Sequence, residues 1–282
     1  MCTEDKDLPR VTIVTPSFNQ GKYLEATILS VLNQDYPNIE YIVIDGGSTD
    51  GSVDVIKRYQ NRLAYSISEP DRGQSHAINK GFEHATGDIF NWLNSDDLLM
   101  PSAVKIAVHY LMKKTDVGMV YGDRIIIDIK GNFLDLIQSP SFNPKAMLYN
   151  LRIPQETVFF RRRFWDELKG VDEALNYCMD YDLWIRLNKV TRIYHIPFVL
   201  GAYRTHPSAK STKGYNHQGL LGRKELDKVM FRHFSKRRNK TMIKVHRKLN
   251  LWLLNYERKS KWRKNEVADI RRFITGESMP VH

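Results

Sequence analysis

Short apolar runs alternate along the first half of the chain with longer segments whose apolar residues recur at a helical period. We interpret five of these runs as strands, at residues 11–15, 41–44, 64–67, 89–93 and 118–121. Between them, segments 23–33, 75–85 and 102–112 each place their apolar residues on one face of a helix. This alternation predicts an α/β fold with right-handed crossovers and a mainly parallel central sheet flanked by helices.

Polar clusters follow four of these predicted strands. They occupy residues 15–19, 45–51, 69–75 and 94–97. The carboxyl ends of parallel strands meet at one edge of a sheet, and open α/β sheets bind their ligands there. We therefore expect the four clusters to form one ligand site.

The second and third clusters contain residue types that suit a nucleotide. Asp45 can accept hydrogen bonds from a base or a ribose, and Gly46 lets the backbone approach a ligand closely. Arg72 can contact a uracil carbonyl or a phosphate, although a surface pair with the preceding aspartate is the alternative. Asp50 instead suits a helix cap, because a helical segment begins near Ser52.

The fourth cluster, Asn94-Ser95-Asp96-Asp97, places two adjacent carboxylates where a buried strand ends. Grouped carboxylates repel one another, and a hard divalent cation such as Mg²⁺ or Mn²⁺ between them and a substrate phosphate relieves the repulsion. A helix cap ahead of Pro101 is the alternative for the same residues. The cluster on its own leaves both interpretations open.

Several other classes of protein lack their usual signals in this chain. Residue 48 is serine where a dinucleotide fingerprint requires glycine, and the sequence has no Gly-x-x-x-x-Gly-Lys run. It also has no Gly-x-Ser-x-Gly elbow and no His-Glu-x-x-His motif. Dehydrogenases, ATPases, serine hydrolases and zinc proteases are therefore disfavoured.

Charge is distributed unevenly along the 282 residues, which carry a net charge of +11. Residues 213–272 hold 19 Lys or Arg against 5 Asp or Glu, whereas residues 1–212 hold 24 against 26. We therefore predict a folded body at 1–212 and a basic, amphipathic helical region at 213–282. The two cysteines, the charged N-terminus and the lack of a long apolar run lead us to expect a soluble cytoplasmic protein.

The clusters at 15–19, 45–51, 72–73 and 94–97, in this order and spacing, resemble the motifs of family 2 glycosyltransferases. With residues 121–123 and 179–184 downstream, the chain is similar to bacterial enzymes that build O-antigen and capsule repeats, over residues 9–210. The resemblance implies the GT-A fold, with a nucleotide-sugar-binding half at 9–122 and an acceptor-binding half at 123–212. It also implies a nucleotide-sugar donor and a divalent metal, Mn²⁺ or Mg²⁺.

The resemblance also implies which residues bind the donor and the metal. Asp96 would bind the metal with Asp97 in support, whereas Asn94 stands where the family's first aspartate usually lies and supplies no charge. His206 and Lys210 belong to a loop that can fold over the diphosphate. The residues expected at the nucleotide-sugar are Thr15, Pro16, Ser17, Asn19, Asp45, Gly46, Ser48, Arg72, Gly73, Asn79, Asn94, Ser95 and Asp96.

The catalytic base is expected in the acceptor-binding half. Family 2 enzymes usually place it in a Glu-Asp pair before a helix; that pair reads Met179-Asp180 here, so Asp180 is the candidate. Asp180 would remove the acceptor hydroxyl proton in a single displacement that inverts the anomeric carbon. Asp182 points away along the same helix and is expected to cap it or to pair with Arg186. Other residues expected at the acceptor are Gln155, Glu156 and Asp123.

The expected function is an inverting, metal-dependent transfer of a hexose-type sugar from a UDP-linked donor to a lipid-linked saccharide acceptor in bacterial surface polysaccharide synthesis. A sugar nucleotidyltransferase and a non-catalytic nucleotide-sugar-binding protein of the same fold are the alternatives. The basic region favours an anionic membrane surface on the inner face of the plasma membrane over nucleic acid. Packing of its helices on the body is the alternative for that region. His76 and His195 each lie alone in the sequence and are expected to be structural.

Overall fold

The fold is known from a computed structural model, in which residues 8–144, 153–210 and 218–234 are described. Within these residues one sheet contains the strands β1 (Val11–Ser17), β2 (Ile39–Asp45), β3 (Tyr65–Ser68), β4 (Ile89–Trp92), β5 (Leu98–Leu99), β6 (Val117–Ile127), β7 (Phe133–Ile137), β8 (Phe159–Arg161) and β9 (Arg192–Arg204). The α-helices are α1 (Gly21–Leu32), α2 (Ser52–Tyr59), α3 (Gln74–Glu83), α4 (Ala103–Lys113), α5 (Arg162–Leu168), α6 (Met179–Val190) and α7 (Gln218–Phe234).

The strands follow the order β3-β2-β1-β4-β8-β6-β9-β5, and β7 pairs with β6. The strands from β3 to β4 are parallel to one another, as predicted, and β6 is parallel to β9. The short strand β8 lies between β4 and β6 and is antiparallel to both, while β5 and β7 also pair in the antiparallel direction. The expected parallel sheet therefore holds for the first four strands in this order, whereas the remainder is mixed.

Two apolar cores explain why β1 and β4 are such apolar runs. Neighbouring residues of β1 point to opposite faces of the sheet, so Val14 lies in one core and Ile13 in the other. Trp92 of β4 shares the Val14 core, and its ring stacks on Trp184 of α6 with 5.2 Å between centroids. Because both faces of these strands are covered, a ligand can reach them only at their ends.

The helix α7 packs on the body, although it lies within the basic region predicted at 213–282. Its residues Val229 and Met230 are buried in the core that contains the apolar side chains of α6. Packing on the body, the alternative for the basic region, therefore applies to this helix. Residues 213–217 and 235–282 lie outside the described residues. None of the described helices is long and apolar enough to cross a membrane.

Candidate functional site

A cavity of about 1160 Å³ lies where β1, β2 and β4 end and where α6 begins. Its lining includes Pro16, Ser17 and Gly46 from the ends of β1 and β2, and also Asp180 from the start of α6. Residues from the predicted nucleotide-sugar-binding half and from the predicted acceptor-binding half thus line the same cavity. The volume is large enough for a ligand with several rings, or for two smaller ligands side by side.

Part of the residue set predicted for the nucleotide-sugar lines this cavity. These residues are Pro16, Ser17, Gly46, Gly73, Asn94, Ser95 and Asp96. Sequence reasoning missed Phe18, whose ring is 60% exposed and belongs to the cavity lining. Its place between two predicted contacts was the signal that could have identified it. An exposed aromatic ring at this position is available to stack on a flat ligand.

Asp45 shapes the loop after β2 and does not belong to the cavity lining. Its side chain is fully buried and accepts the backbone N–H groups of Gly47 and Ser48, at 3.2 and 2.8 Å. The hydroxyl groups of Ser48 and Ser68 also donate to it, at 2.6 and 2.7 Å. The expected contact of Asp45 with a base or ribose stays a prediction, and in the structure its oxygens hold the loop that brings Gly46 to the cavity.

The cavity lining also does not include Thr15, Asn19 and Ser48. Their hydrogen bonds support the strands and loops next to it. Thr15 Oγ1 shares a hydrogen bond of 3.0 Å with Tyr41 Oη, and both side chains are buried. Asn19 has a positive φ of 52°, donates its N–H to Ser48 Oγ and accepts the N–H of Thr49. The bonds of Asn19 join the loop after β1 to the loop after β2, and the expected ligand contacts of Thr15, Asn19 and Ser48 stay predictions.

Asp50 contacts the starts of two helices. Its carboxylate accepts the N–H of Gly21, the first residue of α1, at 2.9 Å and that of Ser52, the first residue of α2, at 3.1 Å. Its predicted role at α2 is confirmed in the bond to Ser52, although Gly51 occupies the N-cap position. Burial alone would raise the pKa of Asp50, but these hydrogen bonds lower it.

Arg72 and Asn79 bind the segment before α6 and do not line the cavity. Arg72 Nη2 lies 2.7 Å from Glu173 Oε2, and the Arg72 side chain is 69% exposed. Asn79 donates to the carbonyl of Val171 at 3.0 Å and accepts the N–H of Val171 at 3.1 Å. The predicted nucleotide contacts of both residues stay predictions, and in the structure Glu173 and Val171 engage their polar atoms. The partner of Arg72 is also not Asp71, the alternative from the sequence.

Asp97 is the structural carboxylate of the fourth cluster. It is buried, and its oxygens accept the backbone N–H of Arg204 at 3.0 Å and the side-chain amide of Asn94 at 3.2 Å. Burial raises the pKa of Asp97 well above its usual range, and the charges of Asp96 and Glu156 raise it further. Asp97 thus joins the end of β9 to the loop after β4.

Asp96 lies beside a histidine that is distant in sequence. Asp96 Oδ2 and His206 Nε2 are 2.9 Å apart, and His206 Nδ1 lies 2.8 Å from Ser208 Oγ. The imidazole is buried next to the ring of Tyr23, with 4.6 Å between centroids. The helix-cap alternative for this cluster is not realised, since Ser102 occupies the N-cap position of α4. His206, expected over a diphosphate, therefore pairs with the candidate metal ligand.

The donor atoms near Asp96 determine how a divalent cation fits. In the part of the chain that the structure describes, no three His, Cys, Asp or Glu side chains are grouped as a metal cage. Asp97 follows Asp96 and lines the same cavity, and each of its oxygens accepts one hydrogen bond, from the N–H of Arg204 or the side-chain amide of Asn94. Asp96 and His206 fit, since a carboxylate oxygen and an imidazole nitrogen lie side by side and a substrate phosphate can supply further oxygens. The predicted ligand pair of Asp96 and Asp97 stays a prediction, and the contact with Asp96 adds His206 as a further candidate ligand.

Asp180, the second residue of α6, has an environment that suits a base. Its carboxylate accepts the N–H of Tyr181 at 2.7 Å. Burial raises the pKa of Asp180 to about 6, and the ammonium group of Lys210 opposes part of this effect. Lys210 also lines the cavity, where its Nζ donates to Gln74 Oε1 at 3.0 Å. Asp180 is therefore mostly ionised at neutral pH, yet more basic than an exposed aspartate.

Asp182 has the structural role predicted for it. Arg186 Nε lies 2.7 Å from Asp182 Oδ2 on the same helix, and His233 Nε2 of α7 lies 2.7 Å from Oδ1. Burial alone would raise the pKa of Asp182, but the hydrogen bond with His233 and the charge of Arg186 lower it. The pairing with Arg186 is confirmed, and Asp182 does not compete with Asp180 as the base.

Gln155 and Glu156, both expected at the acceptor, line the cavity. Gln155 donates to the carbonyl of Trp92 at 2.6 Å and accepts the side-chain amide of Asn94 at 3.1 Å. Glu156 is buried, and its Oε1 lies 3.5 Å from Arg124 Nη1. These residues place amide and carboxylate groups next to the loop after β4.

Asp123, the third residue expected at the acceptor, forms a separate pair outside the cavity lining. Its Oδ1 accepts the N–H of Ser139 at 2.8 Å and lies 2.7 Å from His195 Nε2. The predicted acceptor contact of Asp123 stays a prediction, and in the structure Ser139 and His195 hold its carboxylate. His195 is structural as expected, and His76 accepts the N–H of Arg72 at 3.2 Å.

The sequence matches those of known proteins over most of the chain. The family model described as Glycosyl transferase family 2 matches residues 12–168. An uncharacterized glycosyltransferase of Rickettsia conorii is 31% identical over 217 residues, which are 73% of this chain and 36% of that protein. A chondroitin synthase of Escherichia coli is 29% identical over 194 residues, which are 68% of this chain and 28% of the synthase. The chain thus spans about a third of the length of these relatives.

Solved structures share the fold at low sequence identity. TarS 1–349 of S. aureus, in complex with UDP-GlcNAc, has a TM-score of 0.60 and 18% identity, covering 80% of this chain and 73% of that chain. The mannosyltransferase PcManGT from Pyrobaculum calidifontis, in complex with GDP-Man and Mn²⁺, has a TM-score of 0.61 and 21% identity, covering 90% of this chain and 74% of that chain. The expected GT-A fold is confirmed.

Proposed function

Because the chain belongs to glycosyl transferase family 2, we propose that it is an inverting enzyme that transfers a hexose-type sugar from a nucleotide-sugar to a saccharide acceptor. The observation that carries this proposal is the position of Asp180, which lines the same cavity as Asp96 and the ends of β1 and β2. A base for the acceptor and a site for the leaving diphosphate can therefore share one space. Burial that raises the pKa of a carboxylate in such a cavity is typical of catalytic sites.

Asp180 acts, in this proposal, as the general base for the acceptor. Its carboxylate takes the hydroxyl proton while the acceptor oxygen forms a bond to the anomeric carbon of the donor sugar. The bond from that carbon to the diphosphate oxygen breaks, and its electron pair leaves with the nucleoside diphosphate. Attack and departure take place on opposite faces of the sugar in one displacement, so the anomeric configuration inverts.

The donor nucleotide lies, in this proposal, against the ends of β1 and β2. The exposed ring of Phe18 can stack on the base, and Gly46 and Gly73 let the backbone approach the ribose and the phosphates. A uridine nucleotide is supported by TarS, which binds UDP-GlcNAc in the same fold. PcManGT binds GDP-Man, so GDP-sugars are the natural comparison set.

Asp96 and His206 would hold the divalent cation. Mn²⁺ is the first choice, because PcManGT contains it. When bound, the cation would neutralise the departing diphosphate. Lys210 supplies a positive charge of the chain itself in the same cavity. Asp97 contributes indirectly, by holding the loop that carries Asp96 against Arg204.

The acceptor would bind around the start of α6. Tyr177, Tyr181 and Trp184 flank Asp180 in the sequence and belong to the cavity lining, where aromatic rings can pack against sugars. A saccharide acceptor in bacterial surface polysaccharide synthesis, such as O-antigen or capsule, is supported by the relationship to a chondroitin synthase. We extend the proposal to a lipid-linked acceptor, presented at an anionic membrane surface that the basic C-terminal region contacts.

A screen of donors tests the proposed function. The full chain is incubated with UDP-hexoses or GDP-hexoses, Mn²⁺ and a lipid extract of bacterial membranes, and the products are measured by mass spectrometry. We expect the release of UDP from at least one UDP-hexose, together with a lipid-linked product that has gained one hexose. Formation of UTP from a UDP-hexose and pyrophosphate would instead support a sugar nucleotidyltransferase, and binding without turnover would support a non-catalytic protein.

A further inference from the structure

One carboxylate of α7 binds the segment that leads into α6. Glu225 Oε2 accepts the N–H of Asn176 at 2.9 Å, and Glu225 Oε1 accepts the N–H groups of Tyr177 and Cys178 at 2.6 and 2.7 Å. Cys178 is the N-cap residue of α6, and its own side chain forms no cap hydrogen bond. Glu225 thus binds three consecutive amides directly before the helix, where the positive end of the helix dipole favours a negative charge.

Two further residues of α7 contact α6 just beyond Asp180. The hydroxyl of Tyr181 lies 3.4 Å from Met230 Sδ, and His233 Nε2 lies 2.7 Å from Asp182 Oδ1. The contacts of α7 therefore fall on residues 176–178 and on 181 and 182, on both sides of Asp180. Val229 and Met230 anchor α7 in the core between these contacts.

Asp180 depends on this arrangement for its position. Its carboxylate accepts a hydrogen bond from the adjacent backbone, the N–H of Tyr181 at 2.7 Å, so it follows any movement of the first turn of α6. Displacement of a catalytic group by about 1 Å can reduce a rate by about 100-fold. The first turn of α6 is therefore a place where a stabilising contact affects the proposed chemistry.

We propose that Glu225 is a positioning residue, which fixes the start of α6 and so holds Asp180 at the reacting centre. This inference rests on the proposed function in one respect, that Asp180 is the base. It assigns a part of the basic C-terminal region to the catalytic unit, whereas the charge pattern of the sequence connected that region with a membrane surface. Sequence reasoning could not identify Glu225, because its partners lie 47 to 49 positions earlier in the chain.

Three variants of the full chain test this role. Glu225→Ala removes all three hydrogen bonds, whereas Glu225→Gln keeps one acceptor oxygen for Tyr177 and Cys178 and loses the acceptor for Asn176. Glu167→Ala is the matched control, since Glu167 is an exposed glutamate on another helix, α5. The measurements are hydrogen–deuterium exchange of residues 176–182, the affinity for UDP with Mn²⁺, and the turnover of the UDP-hexose that serves as donor.

We expect Glu225→Ala to accelerate amide exchange in residues 176–178 by at least about 10-fold. Turnover should fall by about 10- to 100-fold, while the Kd for UDP changes by less than about twofold, because the donor site is built from other elements. Glu225→Gln should lie between Glu225→Ala and the unchanged protein in both exchange and turnover. Glu167→Ala should match the unchanged protein.

Two results would overturn the inference. Unchanged exchange at residues 176–178 in Glu225→Ala would show that the carboxylate does not hold this segment. Faster exchange with unchanged turnover would show that Asp180 does not depend on it, and would leave the proposed function intact. A failure of the proposed function is recognised separately, as full transfer activity in an Asp180→Asn variant. Glu225→Gln keeps the test informative if Glu225→Ala does not fold.

Discussion

At the scale of single residues, the chemistry of the cavity depends on which contacts oppose the effect of burial on the pKa of each carboxylate. Burial favours the protonated form of Asp97, Asp180 and Asp182 alike. At Asp182, His233 and Arg186 reverse this effect, and at Asp97 the oxygens are engaged in hydrogen bonds within the fold. Asp97 and Asp180 both line the cavity and both have a raised pKa, but both oxygens of Asp97 accept hydrogen bonds that hold the fold, so Asp180 is the best-suited base of the three.

The raised pKa of Asp180 predicts the pH dependence of transfer. A base must be ionised, and burial raises this pKa to about 6, so kcat/KM for the acceptor should fall as the pH drops below about 6. The measurement is the initial rate between pH 5 and pH 8 at subsaturating acceptor. The Asp54→Asn variant, which changes an exposed carboxylate of α2, should show the same acid limb. A rate that stays constant down to pH 5 would contradict this assignment.

The contact between Asp96 and His206 predicts a second residue-scale effect. His206→Ala should raise the Mn²⁺ concentration needed for half-maximal transfer by about 10- to 100-fold, because it removes one of the two proposed ligands. Mn²⁺ binding in the presence of UDP, followed by electron paramagnetic resonance, should weaken in parallel. His109→Ala, at an exposed position of α4, is the control. Equal Mn²⁺ affinity in both variants would show that His206 is not a ligand.

The role of a residue could be predicted where its place in a strand or motif determined that role. It could not be predicted where the role depends on a partner that is distant in the sequence. Asp96 could be placed at the cavity because it follows a buried strand, and Asp180 because it matches the aspartate of the Glu-Asp pair in family 2 enzymes. The role of Arg72 could not be predicted, since its partner Glu173 lies 101 positions away. His206 is a similar case, because only the fold brings it to Asp96, across 110 positions.

At the scale of elements, the close packing of α3 on β1 predicts a strong effect at one glycine. A Cβ on Gly81 would lie 2.4 Å from Val14 Cγ1, in the centre of a core, so Gly81→Ala should lower the free energy of unfolding by about 1 to 3 kcal/mol. In α7, a Cβ on Gly222 would lie 3.7 Å from Tyr177 Cβ, an ordinary contact. Gly222→Ala should therefore be neutral or stabilising by about 0.5 to 1 kcal/mol. Urea unfolding measures both, and equal effects would contradict this view of α3.

The strands show which elements a sequence pattern can reveal. β1, β2 and β4 were predicted because both of their faces are buried and their apolar runs are continuous. β8 was missed because it has three residues, and β5 has two, so neither carries a readable period. The sequence also revealed no strand after residue 121, although β9 spans 13 residues, because the burial along β9 is neither strictly alternating nor continuous. The hydrophobic pattern of the sequence therefore did not predict the mixed second half of the sheet.

At the scale of the whole molecule, the division into a neutral body and a basic region describes charge better than it describes packing. The helix α7 has exposed cations at Arg223, Lys224 and Lys228, and it also buries Val229 and Met230 in the body. One helix can therefore serve the fold on one face and present positive charge on the other. The remainder of the basic region, residues 235–282, lies outside the described residues.

The exposed cations of α7 and the charge of residues 213–272 predict salt-sensitive binding to anionic membranes. Flotation with vesicles that contain phosphatidylglycerol should recover the protein at 50 mM salt and lose it at 500 mM. Lys224→Glu combined with Lys228→Glu should weaken binding at low salt, while neutral phosphatidylcholine vesicles serve as the control. Recovery that does not depend on vesicle charge would contradict a role for the basic region at a membrane.

The most direct test of catalysis in this cavity is the turnover of an Asp180→Asn variant, measured together with its affinity for UDP. Asparagine keeps the shape of the side chain but cannot accept the proton of the acceptor hydroxyl. We predict that transfer from the UDP-hexose falls by about 10²- to 10⁴-fold while the Kd for UDP with Mn²⁺ changes by less than about twofold. Transfer at the rate of the unchanged protein would contradict the assignment of Asp180 as the catalytic base.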